Sequence, residues 1–201
     1  MPERTYRERL RTNTLLVARK IVSSEGLAAL QARRVAQEAG CSVGTIYNLY
    51  DGLDDLVINV NAATLEDLGA NLKAEMQQST GVALPERLTG LALAYLGFAL
   101  DSQPSWRAVF EHQLAKDRTV PDWYRERQAG LFAIVEDILT SAVSDAQERA
   151  MAARALFSAV HGIVSLALDQ KLGGFDRAAT EAQIRFIVAT AARGLQSPLE
   201  R

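Results

Sequence analysis

Apolar residues recur at helical spacing along most of this chain, and beyond residue 79 no alternating run is long enough for a sheet. The spacing predicts a helix over residues 5–24, two short helices within 31–50, and a long helix from 51 or 52 to about 78. Further helices are expected at about 84–101, 104–116, 121–143, 146–171 and 177–195. The sequence therefore predicts an all-α protein.

Helix boundaries follow from the glycine, proline and polar residues that separate the apolar stripes. Such residues stand at Ser79-Thr80-Gly81 with Pro85, at Pro104, at Pro121, at Ser144-Asp145 and at Gly173-Gly174. The first clear break follows residue 78, and the long helix before it joins two domains. We expect an amino-terminal three-helix domain over 1–52, a connecting helix over 53–78, and a larger helical bundle over 79–201.

The two short helices form the most informative segment, residues 31–50. In the first of them one narrow apolar stripe is formed by Ala32, Val35, Ala36 and Ala39. Gly40 suits the left-handed conformation that ends a helix, and Ser42 is a fair N-cap for the helix that follows. Because the turn between them is so short, the segment is predicted to be a helix-turn-helix, and its second helix would be the one that reads DNA.

The second short helix has an inward side and an outward side. Val43, Ile46 and Leu49 or Tyr50 can face inward, whereas Gly44, Thr45, Tyr47 and Asn48 are left outside. The lone Cys41 cannot form an internal disulfide or a thiolate metal site, and its position in the turn favours a small buried apolar group over a redox sensor.

Composition places the chain among ordinary globular proteins, with 48% hydrophobic and 23% charged residues. The net charge of −2 conceals an asymmetry. Residues 1–50 carry eight Lys or Arg against four acidic residues, and the other 151 carry 14 against 20. A basic head on an acidic body fits a protein that neutralises DNA phosphates. For the arginines from Arg4 to Arg11, DNA contact and solvated surface both remain open interpretations.

Several classes of protein are disfavoured. No stretch approaches the roughly 18 consecutive apolar residues of a membrane span, and the amino terminus has no apolar segment typical of a secretion signal, so we expect a cytoplasmic protein without a membrane partner. With two histidines, no metal-ligand spacing and no glycine-rich phosphate loop, an enzyme, a metal site and a cofactor are not expected.

The residues of 8–60 match a known pattern. The matching positions are Gly26-Leu27, Arg33-Arg34-Val35-Ala36, Ala39-Gly40-Cys41-Ser42, Gly44-Thr45-Ile46-Tyr47, Tyr50 and Asp54-Asp55-Leu56. They resemble the amino-terminal domain of TetR-type transcriptional regulators. The chain departs from the family pattern at Gln31, where Thr or Ser is favoured, at Asn48-Leu49, where Arg or Tyr and then His are common, and at Leu53, where a Lys usually meets a phosphate.

The resemblance implies a dimeric repressor that binds a palindromic operator in double-stranded DNA and is released by a small-molecule effector. Two-fold pairing also follows from the chain itself, because one short helix reads few bases and the last two helices are rich in small and β-branched residues. The DNA-binding residues implied by motif position are Arg33, Ser42, Val43, Gly44, Thr45, Tyr47, Asn48, Leu49 and Tyr50. Asn48 is the candidate for adenine readout, and Leu49 could pack on a thymine methyl.

A second, partial resemblance lies near His161-Gly162, which is similar to the WxxxHG signature of one carboxy-terminal subgroup of the family. In the family this domain encloses a ligand cavity. Candidate lining residues are Tyr95, Phe98, Trp106, Phe110, Gln113, Trp123, Phe132, Phe157 and His161. Core packing explains most of them equally well, and for His161 and His112 a hydrogen-bonded core histidine is favoured over a ligand contact.

Because few cations are expected inside the bundle, a neutral or weakly polar, partly aromatic effector is favoured. The alternative function is a constitutive helix-turn-helix protein whose second domain serves only dimerisation. The sequence names neither the operator, the effector nor the regulated genes.

Overall fold

The computed structural model describes residues 2–114, 118–170, 173 and 176–196, excluding the side chains of 2, 3 and 196. In this part of the chain all regular structure is helical, as predicted, and no strand occurs. The helices are α1 (Pro2–Glu25), α2 (Ala32–Ala39), α3 (Val43–Leu49), α4 (Gly52–Gln78), α5 (Leu84–Asp101), α6 (Gln103–Glu111), α7 (Asp122–Leu139), α8 (Ala146–Asp169) and α9 (Arg177–Gln196). A short 3-10 helix, Leu27–Ala29, lies between α1 and α2.

Two helices end earlier than the apolar pattern predicts. Helix α7 was expected to reach residue 143 but ends at Leu139, because the hydroxyls of Thr140 and Ser141 donate to the carbonyls of Asp137 and Ile138 and compete with the helical ladder. Helix α6 ends at Glu111 rather than near 116. The predicted ends at 116 and 171, and Gly174, lie outside the described residues.

The predicted turn chemistry is present. Gly40 ends α2 in the left-handed region with φ of 70°, where a side chain would be strained. The Ser42 hydroxyl accepts a hydrogen bond from the Thr45 amide at 3.1 Å and caps α3. Asp145 caps α8 in the same way, through the Glu148 amide at 2.8 Å. The Gly40 conformation and the two hydrogen-bonded caps fix the helix ends that the sequence indicated.

The chain divides into two compact units. The first unit contains residues 1–66 and 102–125, and the second contains 67–101 and 126–201. This division differs from the predicted one, in which everything after residue 78 formed a single bundle. Helix α6 joins the first unit because Ala108 is buried among the residues of α1 to α4 and because the buried Asn61 amide donates to the Ala108 carbonyl at 3.1 Å.

Each unit has its own apolar core. In the first, Ile21, Val35, Ile46 and Leu56 are each at most 1% exposed, so α1 to α4 meet around one centre. In the second, helices α5, α8 and α9 pack against one another, with Ile184 and Val188 of α9 among the most buried residues. Burying such side chains contributes roughly 1.5–3 kcal/mol each relative to their exposure to water.

Candidate nucleic-acid interface and ligand cavity

Helices α2 and α3 bury one side each and leave a polar side exposed. Ala32, Val35 and Ala36 of α2 and Ile46 of α3 are buried, as their spacing predicted. Arg33, Ser42, Gly44, Tyr47 and Asn48 are exposed, and Thr45 is half-buried. The structure therefore brings together, on the first unit, most of the residues that the sequence assigned to DNA.

Two positions of the predicted set require correction. Leu49 is 6% exposed and Tyr50 only 2%, so neither side chain is available to a base or a phosphate. Both side chains are buried because the last turn of α3 packs against the core of the first unit. Val43 was expected to face inward, but 38% of the residue is exposed.

Tyr50 has a structural role in the first unit. Its hydroxyl donates to the Arg11 carbonyl at 3.0 Å and lies 3.2 Å from the Thr14 hydroxyl. The Arg11 guanidinium stands over its ring, 4.6 Å from the centroid. Burial raises the pKa of Tyr50, which keeps the phenol protonated as a donor. Tyr50 thus ties the end of α3 to α1.

Arg34, by contrast with Arg33, is committed to internal contacts. Its guanidinium donates to Glu25 at 2.6 and 2.8 Å and to Glu38 at 2.9 Å. The hydrogen bond from Arg34 lowers the pKa of Glu25, while the two carboxylates raise the pKa of Arg34. Arg34 therefore connects α2 to the end of α1 and is occupied there.

The sequence did not reveal what the first arginines do. Arg7 donates to the Asn48 carbonyl at 2.9 Å, and Arg11 donates to the Leu49 carbonyl at 2.6 Å. These are the last carbonyls of α3. A signal was present, since α3 ends without a basic residue in its last turn or a glycine C-cap, and its carbonyls therefore need donors from elsewhere.

Two apolar residues of this unit lie at its edge. Cys41 is half-buried against the core, and burial raises the pKa of its thiol, in keeping with the predicted small apolar group. Leu53 also packs partly against this core. The position that usually supplies a lysine thus supplies a packing contact in this chain.

The predicted ligand-lining residues fall into two groups. Tyr95 and Phe98 on α5, Phe132 on α7, and Phe157 and His161 on α8 belong to the second unit. Trp106, Phe110, Gln113 and Trp123 belong to the first unit, where Trp106 is 4% exposed and its ring centroid lies 5.0 Å from that of Phe110. The nine candidate residues therefore do not all belong to one unit.

Within the second unit, four of the predicted residues form an aromatic cluster, consisting of Tyr95, Phe132, Phe157 and His161. Phe157 is central, with ring centroids 5.8 Å from Tyr95, 5.4 Å from Phe132 and 5.3 Å from His161. The Tyr95 hydroxyl and His161 Nδ1 are 2.8 Å apart. Burial lowers the pKa of His161, so the imidazole is neutral at pH 7. His161 therefore has the hydrogen-bonding neighbour expected of a core histidine.

An apolar cavity of about 70 Å³ borders this cluster. Tyr95 and Phe157 line it, and the other lining residues are aliphatic: Leu72, Leu88, Leu91, Ala92, Val135, Leu156, Val160 and Val188. The sequence missed them because an aliphatic position that faces a cavity has the same helical spacing as one that faces a packed core. A typical ligand pocket exceeds roughly 300 Å³, so a larger ligand would have to widen this one.

Histidine 112 lies elsewhere, in the first unit. Its Nε2 is 3.1 Å from an Asp54 carboxylate oxygen, which links the end of α6 to the first turn of α4. The described residues contain no group of three or more potential metal ligands.

Helices α8 and α9 carry three large apolar residues that are exposed. Met151 is 65% exposed, Leu166 41% and Phe186 71%. Within the described residues, helix α8 is also the one long and apolar enough to cross a membrane, a property that it shares with the core helices of many other proteins.

Comparison with known proteins gives concordant results. Residues 88–191 match the family model described as tetracyclin repressor-like, C-terminal domain. That match covers half of the chain and lies outside the helix-turn-helix, so it is independent of the motif there. Among curated proteins there is no match.

Solved structures share the fold. A protein of unknown function from Rhodococcus sp. RHA1 is 22% identical, with a TM-score of 0.76 over 94% of this chain and 96% of that one. A TetR-family transcriptional regulator from Streptomyces coelicolor is 18% identical, with a TM-score of 0.70 over 94% and 82%. The multidrug binding protein EbrR, complexed with imidazole, is 22% identical, with a TM-score of 0.64 over 90% and 93%.

Proposed function

Because the chain belongs to the TetR family of transcriptional regulators, we propose that it is a repressor that binds a palindromic operator through α3 and releases it when a small molecule binds the second unit. The observation that carries the DNA-binding part is the exposed polar side of α2 and α3, where Asn48 and Tyr47 lie in the same short helix and Arg33 carries an exposed cation. We assign it no enzymatic activity, in keeping with the family.

The roles within this surface follow from residue chemistry. Ser42, Thr45, Tyr47 and Arg33 would contact phosphates, which position the protein without reading sequence. Gly44 lets the backbone approach the duplex closely, and nothing lies near a Cβ there except the Ser42 hydroxyl at 3.7 Å. The Asn48 amide would read a base edge, since an amide pairs bidentately with adenine.

The active form is a homodimer that pairs through α8 and α9. The exposed Met151, Leu166 and Phe186 on these helices support this assignment, because pairing would remove these apolar side chains from water. A two-fold dimer places two copies of α3 about one turn of DNA apart, which matches a palindromic operator. We place the dimer in the cytoplasm, where its operator would be.

The effector would occupy the apolar cavity of the second unit. The lining carries no charged side chain, and the hydroxyl of Tyr95, which lines the cavity, lies 2.8 Å from Nδ1 of the neutral His161. A charged ligand would lose its hydration there without a partner. We therefore propose a neutral, largely apolar and partly aromatic effector.

The effector releases the protein from DNA if it binds more tightly to the form of the dimer that cannot bind the operator than to the DNA-bound form. The linkage is reciprocal, so operator DNA must weaken effector binding by the same factor. Helix α4, which contributes to both units, is the element that would change position.

The test is selection of duplexes from a random pool by the protein, followed by a screen for neutral aromatic and aliphatic compounds that release the selected duplex. Enrichment of a palindrome and its release support the proposal. Enrichment without any releasing compound favours a constitutive binder whose second unit only dimerises. Where a compound does cause release, Ala92→Phe, which places a phenyl ring in the cavity lining, should abolish release while DNA binding is retained.

A further inference from the structure

The carboxy-terminal end of α3 is held by side chains of α1. This helix has only seven residues, too few to be stable alone. Of its last carbonyls, Ile46 accepts from the Tyr50 amide at 2.9 Å. The carbonyls of Asn48 and Leu49 accept instead from the guanidinium groups of Arg7 and Arg11. These arginines lie 41 and 38 residues away in sequence.

Arg11 is itself fixed on several sides. Its guanidinium donates to the Leu49 carbonyl at 2.6 Å and to the Asn59 side-chain oxygen at 3.4 Å. The same group lies over the Tyr50 ring, and the Tyr50 hydroxyl returns to the Arg11 carbonyl. The Asn59 amide in turn donates to the Asp55 carbonyl at 2.7 Å, which extends the contacts into α4.

Arg7 makes the more informative contact. Its guanidinium donates at 2.9 Å to the backbone carbonyl of Asn48, the exposed residue assigned to base readout. A cation at this position is favourable for two reasons. It donates a hydrogen bond to a carbonyl that has no acceptor role inside the helix, and its charge stabilises the negative end of the helix dipole. The position of the Asn48 backbone therefore depends on a residue of another helix.

We propose that Arg7 and Arg11 are positioning residues for sequence recognition, which hold the end of α3 so that Asn48 meets a base edge, and are not phosphate contacts. This inference rests on the proposed DNA-binding function. It assigns a role to the basic amino-terminal helix that neither charge nor spacing indicated. Its consequence is that α1 contributes to the preference for one sequence over another.

Positioning and phosphate contact predict different behaviour. A lost phosphate contact weakens binding to all sequences and reduces the slope of log affinity against log salt by about one unit. A lost positioning contact weakens binding to the selected sequence only and leaves the salt slope unchanged. The ratio of the two affinities, rather than either one, is therefore the decisive quantity.

The experiment compares Arg7→Gln with Arg9→Gln, which removes the same charge from an exposed arginine of the same helix. Affinities are measured for the duplex that wild-type protein selects and for a scrambled duplex of equal length, at several salt concentrations. For Arg7→Gln we expect about a tenfold loss on the selected duplex, less than twofold on the scrambled one, and an unchanged slope. Arg9→Gln should leave the ratio of affinities unchanged.

Arg7→Lys serves as the conservative variant. An ammonium group can still donate to the Asn48 carbonyl and oppose the helix dipole, so most of the preference for the selected duplex should return. Equal losses on both duplexes for Arg7→Gln, with a slope smaller by about one unit, would overturn the proposal in favour of a phosphate contact. No loss on either duplex would overturn it as well.

Amide hydrogen exchange without DNA separates this inference from the proposed function. In Arg7→Gln, amides from Ile46 to Tyr50 should exchange several times faster than in wild type, whereas Arg9→Gln should leave them unchanged. Unchanged exchange in Arg7→Gln overturns the positioning role. If wild-type protein selects no duplex, the proposed function fails, and the role in recognition fails with it even when exchange accelerates.

Discussion

Arg33 and Arg34 are neighbours on α2, yet only Arg34 is held by carboxylates. Arg34 lies between Glu25 and Glu38 at 2.6 and 2.9 Å, whereas Arg33 is exposed and has no hydrogen bond or ion pair among the described residues. The two arginines carry the same charge at adjacent positions, but only Arg33 is available to contact DNA.

Arg33→Ala should weaken binding to all duplexes and reduce the slope of log affinity against log salt by about one unit, because one phosphate contact is lost. Arg34→Ala is the matched control. It should lower the thermal midpoint by releasing Glu25 and Glu38, while the salt slope stays at its wild-type value. Fluorescence anisotropy titrations at four salt concentrations measure both slopes. Equal slopes for Arg33→Ala and wild type would remove Arg33 from the interface.

Leu53→Lys should tighten binding to selected and random duplexes alike by roughly 1 kcal/mol at low salt, because it restores a cation at a position where related proteins carry one. The lysine stem can keep part of the packing that Leu53 makes with the core of the first unit. Leu53→Met preserves the packing without charge and is the control. A lysine variant that binds no more tightly than the methionine variant would show that the first unit docks differently on DNA.

The helices of this chain were predictable because their apolar stripes and caps are local properties. The limits of α4 and α5 and the capping roles of Gly40, Ser42 and Asp145 agree with expectation. The assignment of α6 to the first unit was not predictable, since it depends on where Ala108 is buried, and no spacing along α6 encodes its neighbour.

The candidate sites were predictable only in part for the same reason. The outward positions Arg33, Tyr47 and Asn48 follow from helical periodicity. Periodicity also indicated that Leu49 or Tyr50 faces inward, but the burial of both depends on how α3 meets α1 and α4. The contacts of Arg7 and Arg11 with carbonyls of α3 join distant parts of the chain. The cavity lining is aliphatic, and its spacing is the same as that of any core position.

His161 predicts a pH dependence of stability. Burial lowers the pKa of His161 in the folded state below its ordinary value of 6.5. Between the folded pKa and about pH 6.5, the unfolded state therefore binds more protons than the folded state. The contribution of neutral His161 to the free energy of unfolding is therefore fully present above about pH 6.5. It decreases as the pH falls from there to the folded pKa. Thermal unfolding of wild type and His161→Phe between about pH 5.5 and 7.5 measures it. The variant should lose less stability on acidification, and parallel curves would contradict the prediction.

The α8 and α9 surface predicts the assembly state. Phe186→Glu should convert a dimer into a monomer at micromolar concentration, because a carboxylate placed in an apolar interface loses its hydration without a partner. Val82→Glu is the control, since Val82 is also exposed, at 44%, but lies outside these helices. Sedimentation velocity distinguishes the states. A Phe186→Glu protein that remains dimeric would place the interface elsewhere.

The most direct test of the account is selection of bound duplexes from a random pool by wild type and by Asn48→Ala in parallel. Asn48 is exposed on α3, and its removal costs the first unit no core contact. Wild type should enrich a palindrome with half-sites about one helical turn apart, and the variant should enrich the same palindrome with preference lost at one position in each half-site. Failure of wild type to enrich any sequence, or identical preferences for both proteins, would contradict the claim that the exposed side of α3 reads DNA.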